Sequence, residues 1–596
     1  MSSVPERTEI AEEYKWELES IYPDEGEWEE AFARAEELVE ELEAYEGRAT
    51  ENGETLLVVL ETYERVSRQV EKVITYAQMR RDEDTRDQEA QARVSRARSL
   101  ATDASSAGSF LEPEIQSLDR TELDDLIAEE SGLERYEHYF DDVLRMKAHT
   151  RSAEVENLLA GLSEVTAAPR DIYGMLSNAD IEFPTVEDPD GEPVEITDAN
   201  FTNLQKRSDR EFRQEVYERY YDTWEDVRNT VASAYENSVT ADVKLAQARD
   251  YETALEAALY GPNIPVEVYH TLLDSVRSNL DVLHRHAELK REALGVDELR
   301  MWDIYMPMAE GEGPAVEYDE AREHVVEAVG ALGEDYQSRV AEGLNSRWVD
   351  VYENEGKRSG AYSGGTHDTQ PFILMNYQDD VTSMYTLAHE LGHSLHSQLT
   401  SEHQPYVYSH YEIFVAEVAS TVNESLLTHH LLETIDDPTL RRHVLNEYLE
   451  RFRGTLFRQT MFADFELQAH EVVEDGGALT ADHLDEMYGD LKAEFYEPAV
   501  VDDRIAREWM RIPHFYRAYY VFQYSTGISA AIALARDILE EGEPVAERYL
   551  EFLQQGSSEY PLELLSVAGV DLRSSDPIEA AIEEYDELLD EVEALL

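Results

Sequence analysis

The chain has 596 residues, no cysteine, and a formal net charge of −80 from 130 acidic against 50 basic side chains. The lack of cysteine excludes disulfides and thiolate chemistry, so any metal must be held by histidine and carboxylate. A chain with this negative charge has no basic face that could bind phosphates, which excludes nucleic acid as a partner. Its hydrophobic fraction of 42% argues against an intrinsically disordered chain.

Amphipathic helices are predicted near both ends of the chain. Apolar residues recur at helical spacing before Gly47, at Trp28, Phe32, Ala35, Val39 and Leu42. A second set follows Ser575 and Pro577, at Ile578, Ile582, Tyr585, Leu589 and Val592. Few linker-like segments lie between them, so the sequence predicts a mainly α-helical protein.

Extended structure is predicted in two places. Residues 183–196 form two short runs around a turn, which is typical of a hairpin. Residues 371–378 read as a strand, and an exposed strand edge would let an extended peptide add through backbone hydrogen bonds. The preceding glycines indicate either a mobile loop over a site or a plain surface loop; they are Gly356, Gly360, Gly364 and Gly365.

The segment 386–395 contains the pattern His-Glu-x-x-His. On a helix, His389 and His393 leave the same face one turn apart, as two ligands of one tetrahedral metal require. Glu390 points to an adjacent face, where it can hold a metal-bound water. Met384, Leu387, Leu391 and Leu395 keep a helical period, so the segment is predicted to be a helix.

A zinc site needs a third protein ligand. His396 is excluded, because seven helical residues place it about 10 Å along the axis from His389. The alternative is a carboxylate on the next helical stretch, residues 411–427. Glu417 has apolar neighbours there, so its carboxylate is expected to be buried, which is costly unless it is paired or binds a metal.

The other acidic residues nearby are weaker candidates for the third ligand. Glu402 and Glu412 lie among polar residues, which favours Glu417 over both. Glu424 lies seven residues after Glu417 on the same helical face. Two interpretations stay open for it: a hydrogen bond to a ligand histidine, or the end of a solvated stripe.

A tyrosine-rich segment lies near the end of the chain. Tyr516, Tyr520 and Tyr524 are four residues apart, which predicts one helical face, and His514 follows Pro513 at a helix start. Such hydroxyls can stabilise the oxyanion formed during amide hydrolysis. By spacing alone, however, a tyrosine stripe is more typical of a core.

The motif and the third carboxylate together resemble a known family. His-Glu-Leu-Gly-His followed by Glu417 within Phe-Val-Ala-Glu-Val-Ala-Ser-Thr resembles the M3 family of zinc metallopeptidases, and within it the oligoendopeptidase F group of the M3B branch. Three further segments resemble that group: residues 18–23 with Trp28, residues 355–363 and residues 513–527. The resemblance therefore spans nearly the whole chain.

This resemblance implies a fold and a set of site residues. The fold would be a mainly α, two-lobed helical peptidase with a deep central channel and a small β-strand element next to the zinc helix. Residues 1–200 would form an N-terminal helical lobe and residues 201–596 the catalytic region. One Zn²⁺ per chain would be held by His389, His393 and Glu417, with Glu390 as general base; the substrate carbonyl and the oxyanion would be bound by His514, Tyr520 and Tyr524.

The function predicted from the sequence is that of a zinc-dependent endopeptidase. It would hydrolyse internal bonds of short unstructured oligopeptides through a metal-activated water. Three alternatives stay open: a zinc carboxypeptidase of similar design, a hydrolase for a non-peptide bond, and a helical protein that binds peptides without cleaving them. The sequence does not indicate the oligomeric state.

The charge and the first residues predict where the protein works. Molar salt shortens the electrostatic screening length to about 3 Å, which weakens the repulsion between acidic side chains. A surface this acidic is therefore typical of a protein from the salt-rich cytoplasm of a halophilic microbe. Residues 1–8 lack the apolar core of a signal peptide, and no apolar run is long enough for a membrane span. We therefore expect a cytoplasmic protein without a membrane partner.

Overall fold

The computed structural model describes residues 4–309 and 313–595. Backbone contacts divide the chain into two compact units, each assembled from separated segments. The first unit comprises Met1–Ala148, Pro314–Thr434 and Leu534–Val570. The second comprises His149–Gly313, Ile435–Ala533 and Asp571–Leu596. A boundary between sequence domains near residue 200 stays a prediction.

The chain is mainly α-helical, which confirms the predicted fold class. Within the described residues the α-helices, α1 to α25 in chain order, span Glu25–Glu43, Gly53–Glu83, Gln88–Gly108, Leu111–Ser117, Arg120–Glu129, Glu137–Met146, Ala153–Gly161, Ser163–Met175, Asp198–Leu204, Arg210–Glu225, Arg228–Ala248, Ala254–Tyr260, Val266–Ser278, Leu280–Ala293, Tyr318–Ala328, Glu334–Asn345, Val381–His403, Ile413–Thr434, Pro438–Phe452, Arg458–Glu474, Ala481–Phe495, Phe522–Glu541, Glu543–Leu553, Pro561–Ala568 and Asp576–Leu595. No helix of the described part of the chain combines the length and the apolar character that a bilayer crossing requires.

Helices α1 to α3 of the first unit pack against one another around a hydrophobic core. Asp24 caps α1 by accepting a hydrogen bond from the Glu27 amide, which satisfies one of the unpaired donors at the helix start. Trp28, the first residue of the predicted apolar stripe, is fully buried and donates its indole N–H to the carbonyl oxygen of Val73 on α2. The periodicity read from the sequence therefore describes the face that builds this core.

Five short strands occur in the described residues, and the second unit contains the first two. β1 (Thr185–Glu187) and β2 (Pro193–Glu195) pair antiparallel, which confirms the predicted hairpin. The first unit contains β3 (Val349–Asp350), β4 (Tyr362–Gly364) and β5 (Phe372–Leu374) in the order β3-β5-β4. Both β4 and β5 contact helix α17, as expected for a small sheet beside the motif helix.

The strand order corrects one expectation from the sequence. β5, the strand predicted at residues 371–378, was expected to offer an edge to a peptide, but it lies in the middle of the sheet, with β3 parallel on one side and β4 antiparallel on the other. All three of its residues are buried, and Phe372 and Leu374 belong to the core formed by α1 to α6. The edge strands are β3 and β4, and β4 lies within the glycine-rich stretch predicted to be a loop.

Candidate metal centre

Helix α17 carries the His-Glu-x-x-His motif in the first unit. Its first turn is capped by Asp380, whose carboxylate accepts a hydrogen bond of 2.7 Å from the Ser383 amide. Apolar residues of the predicted period are buried along α17, and they are Met384, Leu387, Leu391 and Leu395. Burial of this face fixes the rotation of the helix and thereby the direction in which His389 and His393 leave it.

Helix α18 passes close to α17 at Gly392, inside the motif. A β-carbon added at Gly392 would lie 2.5 Å from the carbonyl oxygen of Ala419 and 2.6 Å from the Cα of Ser420. Only glycine fits at this crossing. The contact is reinforced where the side-chain amide of Asn423 donates to the carbonyl oxygen of Ala388 over 3.2 Å. This close approach brings the carboxylate of Glu417 on α18 to the two histidines of α17.

His389, His393 and Glu417 form one cluster of potential metal ligands. The two Nε2 atoms of His389 and His393 are 3.2 Å apart, and they lie 3.6 and 3.9 Å from Oε2 of Glu417. Ligand atoms about 2 Å from a zinc ion at tetrahedral angles lie roughly 3.3 Å from one another. The separations and the donor set of two imidazoles and one carboxylate therefore fit a single Zn²⁺.

The exposure of the third carboxylate differs from the expectation. Glu417 was expected to be buried by its apolar neighbours, yet its side chain is 24% exposed. Phe414, Val415, Val418 and Ala419 are fully buried, because they point to other sides of α18. The prediction that Glu417 lies beside the two histidines is therefore confirmed. The prediction that its side chain is buried is wrong, because the side of α18 that carries Glu417 is partly exposed.

Glu424 is the buried carboxylate on α18, and its Oε1 atom accepts a hydrogen bond of 2.8 Å from Nδ1–H of His389. Of the two interpretations left open by the sequence, the structure supports the bond to a histidine and rejects the solvated stripe. Burial, the largest single influence, lowers the pKa of His389, but the bond to Glu424 and the charges of Glu424, Glu417 and Glu390 together outweigh it, so the net shift is upward. With the proton on Nδ1, the Nε2 lone pair of His389 is turned toward Glu417 and His393.

Glu390 lies beside the cluster in a largely buried position. Burial raises the pKa of its carboxyl group, partly offset by the charge of His389 and by a hydrogen bond from the backbone of Ser363 on β4. A carboxylate whose pKa is raised toward neutrality is a better proton acceptor and donor near pH 7. Burial, together with the neighbouring His389, also lowers the pKa of His393 to about 3, so its imidazole stays neutral and its lone pair is available.

His396 takes no part in the cluster, as its distance along the helix predicted. Its ring is buried and stacks on Tyr411 with ring centroids 3.8 Å apart. Burial lowers its pKa to about 3, so the ring is neutral. His396 therefore packs in the core and stays outside the cluster of His389, His393 and Glu417.

The tyrosine-rich segment belongs to the second unit, and its predicted single helical face is wrong. Pro513–Tyr516 forms a short 3₁₀ helix, while Tyr524 lies on α22, which begins only at Phe522. Between them Tyr519 adopts a left-handed conformation with φ of 57°, which interrupts any continuous helix. Its amide donates to buried Glu466 over 2.8 Å, which holds this bend.

The bend assigns different surroundings to the three spaced tyrosines. Tyr516 is buried in the core, where its ring stacks on Tyr173 with centroids 4.4 Å apart. Tyr520 is hydrogen-bonded to Nδ1 of His514, and its ring lies 5.7 Å from that of Tyr524. Burial, followed by the charge of Arg458, lowers the pKa of His514. His514, Tyr520 and Tyr524 thus form a local group without Tyr516.

Two features of the centre were missed from the sequence. Gly392 gave a signal, since a glycine inside an otherwise helical apolar pattern often marks a close backbone approach. Ser363 gave none, although its backbone bonds Glu390 and its hydroxyl lies 2.8 Å from that of Ser394. The contact of Ser363 with the motif helix depends on the strand order, which no local pattern encodes.

Comparison with known proteins gives matches over the full chain. The family model described as peptidase family M3 matches residues 203–584, and the one described as oligopeptidase F matches residues 114–183. The chain is 42% identical to oligopeptidase PepF of Bacillus subtilis, over 100% of this chain and 89% of that protein. It is 40% identical to group B oligopeptidase PepB of Streptococcus agalactiae, over 99% and 98% respectively. The crystal structure of oligoendopeptidase-F from Enterococcus faecium superposes with a TM-score of 0.74 at 39% identity, covering 96% of this chain and 99% of that one.

Proposed function

The chain belongs to peptidase family M3, a family of metallopeptidases, and we propose that it is a zinc-dependent endopeptidase acting on short oligopeptides. The observation that carries the proposal is the His389, His393 and Glu417 cluster with buried Glu390 beside it. Three protein ligands leave the fourth position of a tetrahedral ion open, which is the arrangement of catalytic zinc sites.

In this proposal His389, His393 and Glu417 hold the ion, which supplies Lewis acidity and a water of lowered pKa when bound. Glu390 would act as the general base toward the attacking water and would pass the proton on to the leaving amine. Its raised pKa suits the role of general base, because a carboxylate becomes a stronger proton acceptor as its pKa rises. Glu424 fixes the ring of His389 through its Nδ1–H.

The edge strand β4 offers a place for the substrate backbone. The Ser363 N–H is turned to Glu390 and away from β5, so the free edge of β4 faces the proposed general base. An extended peptide pairing with this edge would be held by main-chain hydrogen bonds, largely without regard to its side chains. This arrangement suits an enzyme that accepts many oligopeptide sequences.

For the transition state we assign substrate carbonyl and oxyanion binding to His514, Tyr520 and Tyr524. The bonded pair of His514 and Tyr520 supports this assignment, since a donor held by a neighbour needs little reorganisation during reaction. Tyr520→Phe should lower kcat by about 10² to 10³ while KM changes little. A kcat within a factor of two of wild type would remove Tyr520 from the reaction; Tyr516→Phe, in the core, is the matched control.

The decisive test separates metal binding from proton transfer. Glu390→Gln should keep its zinc, measured by metal analysis of the purified protein, and lose turnover of a quenched oligopeptide. Glu417→Ala should lose zinc occupancy itself. Glu402→Gln serves as the control, because Glu402 lies on α17 but pairs with Arg339 over 2.8 Å. Wild-type turnover in Glu390→Gln, or full zinc content in Glu417→Ala, would overturn the corresponding role.

Mass spectrometry of the products distinguishes the proposed endopeptidase from its alternatives. Cleavage at internal bonds is expected, whereas stepwise loss of C-terminal residues would indicate a carboxypeptidase and intact peptide a binding protein. We also propose a salt-rich cytoplasm as the site of action, on the strength of the net charge of −80. Recovery of the protein outside the cytoplasmic fraction of its cells would contradict that location.

A further inference from the structure

A polar cavity of about 390 Å³ opens beside His393 in the first unit. His393 forms one wall of it, and the wall residues that matter for its chemistry are Glu71, His367, Gln370, Gln398 and His410. They come from helix α2, from the β4–β5 loop, from α17 and from the segment before α18. None of these five residues has a role in the proposed metal binding or proton transfer, so the cavity adjoins the metal centre with side chains that those roles do not use.

The cavity has one carboxylate and no cation in its wall. Among the described residues that line it, Glu71 is the only acidic one, and no lysine or arginine lines it. Asp368, nearby, is already paired with Arg68. Burial and the neighbouring His367 lower the pKa of His410, which keeps that ring neutral. The formal charge of the wall is therefore that of Glu71 alone.

Several polar atoms of this wall lack a partner within the described residues. They include Oε2 of Glu71, Oε1 of Gln398 and Nδ1 of His367. Nε2 of His367 is hydrogen-bonded to the carbonyl oxygen of Gln404 over 3.2 Å, and its Nδ1 lies 3.8 Å from Oδ1 of Asp368. The one unpartnered donor here is Nε2 of Gln370. The two oxygen acceptors, of Glu71 and Gln398, thus outnumber this donor.

An unpartnered polar atom in a buried wall costs free energy that a complementary ligand recovers. The terminal torsions of Glu71 and Gln398 are soft, so both side chains can turn an oxygen toward a group that enters the cavity. Burial is the main influence on the carboxyl group of Glu71 and raises its pKa, and a hydrogen bond from Tyr406 and the charges of His367 and Arg68 offset that rise only in part. A ligand with several N–H donors and a positive charge matches all of these properties.

We propose that this cavity is a subsite for a cationic group of the substrate peptide, with Glu71 as its counter-ion and Gln398 as a further acceptor. The inference rests on the proposed function, because His393 joins the cavity to the metal centre. A guanidinium or ammonium group seated there would place a neighbouring peptide bond near the ion. The cation has two possible sources in a peptide, a basic side chain or the N-terminal amine.

Arginine and citrulline give the sharpest test, since the two side chains have nearly the same shape and differ in charge. A set of quenched oligopeptides carries arginine or citrulline at each position in turn, with the N-terminus free or acetylated. We expect wild type to favour the cationic form at one position, or at the free N-terminus, by about tenfold or more in kcat/KM. Glu71→Gln should reduce that preference to within a factor of two, and Glu71→Lys should instead favour glutamate over glutamine there.

Glu64→Gln is the matched control. Glu64 lies on the same helix, two turns before Glu71, and accepts a hydrogen bond of 2.8 Å from the Tyr136 hydroxyl outside the cavity. This variant should keep the full preference for arginine. If circular dichroism shows that Glu71→Gln is misfolded, Gln398→Leu, which removes another acceptor from the wall, should weaken the same preference.

The outcomes separate this inference from the proposed function. Cleavage with equal rates for arginine and citrulline at every position and for both N-termini, or a preference that survives in Glu71→Gln, would overturn the subsite and leave the peptidase intact. If wild type cleaves no peptide, the proposed function fails. In that case, calorimetry measures the affinity of the Glu390→Gln variant for each arginine and citrulline peptide and for each free and acetylated peptide. Equal affinity for both members of every pair would overturn the subsite as well.

Discussion

Nδ1 of His389 lies 2.8 Å from Oε1 of Glu424, and the two residues are 35 positions apart on helices that cross at Gly392. This bond has two consequences for His389, a proposed metal ligand. It places the ring proton on Nδ1, which leaves Nε2 free to coordinate, and it holds the plane of the ring toward His393 and Glu417. The buried carboxylate thus acts on the metal centre through the ring that it orients.

Replacing Glu424 should therefore weaken metal binding without removing a ligand. We expect Glu424→Ala to lower zinc affinity by about 10- to 100-fold, the usual cost of losing a partner that orients a ligand histidine. Competition with a chelator of known affinity measures the change. Thr428→Val, one turn further along α18, is the control, because its hydroxyl bonds Tyr385 and the backbone of Glu424 instead of a histidine. Unchanged zinc affinity in Glu424→Ala would mean that the ring is held by packing alone.

The crossing itself can be tested at Gly392. In Gly392→Ala the new methyl group would lie 2.5 Å from the Ala419 carbonyl oxygen, so α17 and α18 must separate. We expect a loss of stability of about 1 to 3 kcal/mol, as for other overpacked sites, together with weaker zinc binding because Glu417 moves with α18. Thermal unfolding and metal content measure the two effects.

Gly161→Ala is the matched substitution for Gly392→Ala. Gly161 is the last residue of α7, and a β-carbon there meets no atom within 4 Å. Alanine at this position should be neutral or slightly stabilising. If both variants were as stable as wild type, the close approach of the helices at Gly392 would make no contribution to the free energy of unfolding.

The residues of the metal centre that were predictable are those set by local periodicity. The spacing of His389 and His393 and the apolar period around them determine a helix and one ligand face. Glu417 followed from its position on the next helix, although its exposure of 24% differs from the burial expected. A hydrophobic neighbourhood in sequence identifies a helix, but only packing decides which face of it meets solvent.

The failures come from contacts that are distant in sequence. The prediction that the spaced tyrosines share one helical face is wrong because the helix is interrupted at Tyr519. This residue is left-handed, and its amide is hydrogen-bonded to Glu466. The prediction that β5 offers a free edge to a peptide is wrong because β3 and β4 pair with it, one on each side. Glu71 gave no signal at all, since its neighbours in the cavity lie about 300 residues away along the chain.

A buried histidine in the second unit should make stability sensitive to acid. Burial, the main cause, lowers the pKa of His286 from 6.5 to about 3. Below pH 6.5 the unfolded chain binds a proton that the folded chain refuses, so stability falls as the pH drops from about 6.5 toward 3. Between pH 7 and pH 5 we expect this residue alone to cost about 2 kcal/mol, and at most about 4 to 5 kcal/mol by pH 3.

The comparison of His286→Leu with wild type isolates this contribution from that of the many carboxylates. Denaturant unfolding at pH 7 and pH 5 should show a smaller loss of stability in the variant. His284→Leu, on the same helix but with its Nε2 bonded to the backbone carbonyl of Glu494, should lose as much as wild type. Parallel pH dependence in wild type and His286→Leu would contradict the buried neutral ring.

The net charge of −80 predicts that the fold depends on salt. At 0.1 M ionic strength charges interact over about 10 Å, so acidic side chains repel across the surface, whereas at 1 M that range falls to about 3 Å. Ion pairs cannot remove the repulsion, because 130 acidic residues face only 50 basic ones. We expect dialysis from molar salt into dilute buffer to reduce the helical circular dichroism signal, and restored salt to recover it. Sucrose at equal osmolarity should protect much less than salt, since it does not screen charge. A helical spectrum that persists in dilute buffer would show that hydrophobic packing within each unit outweighs the repulsion between acidic side chains.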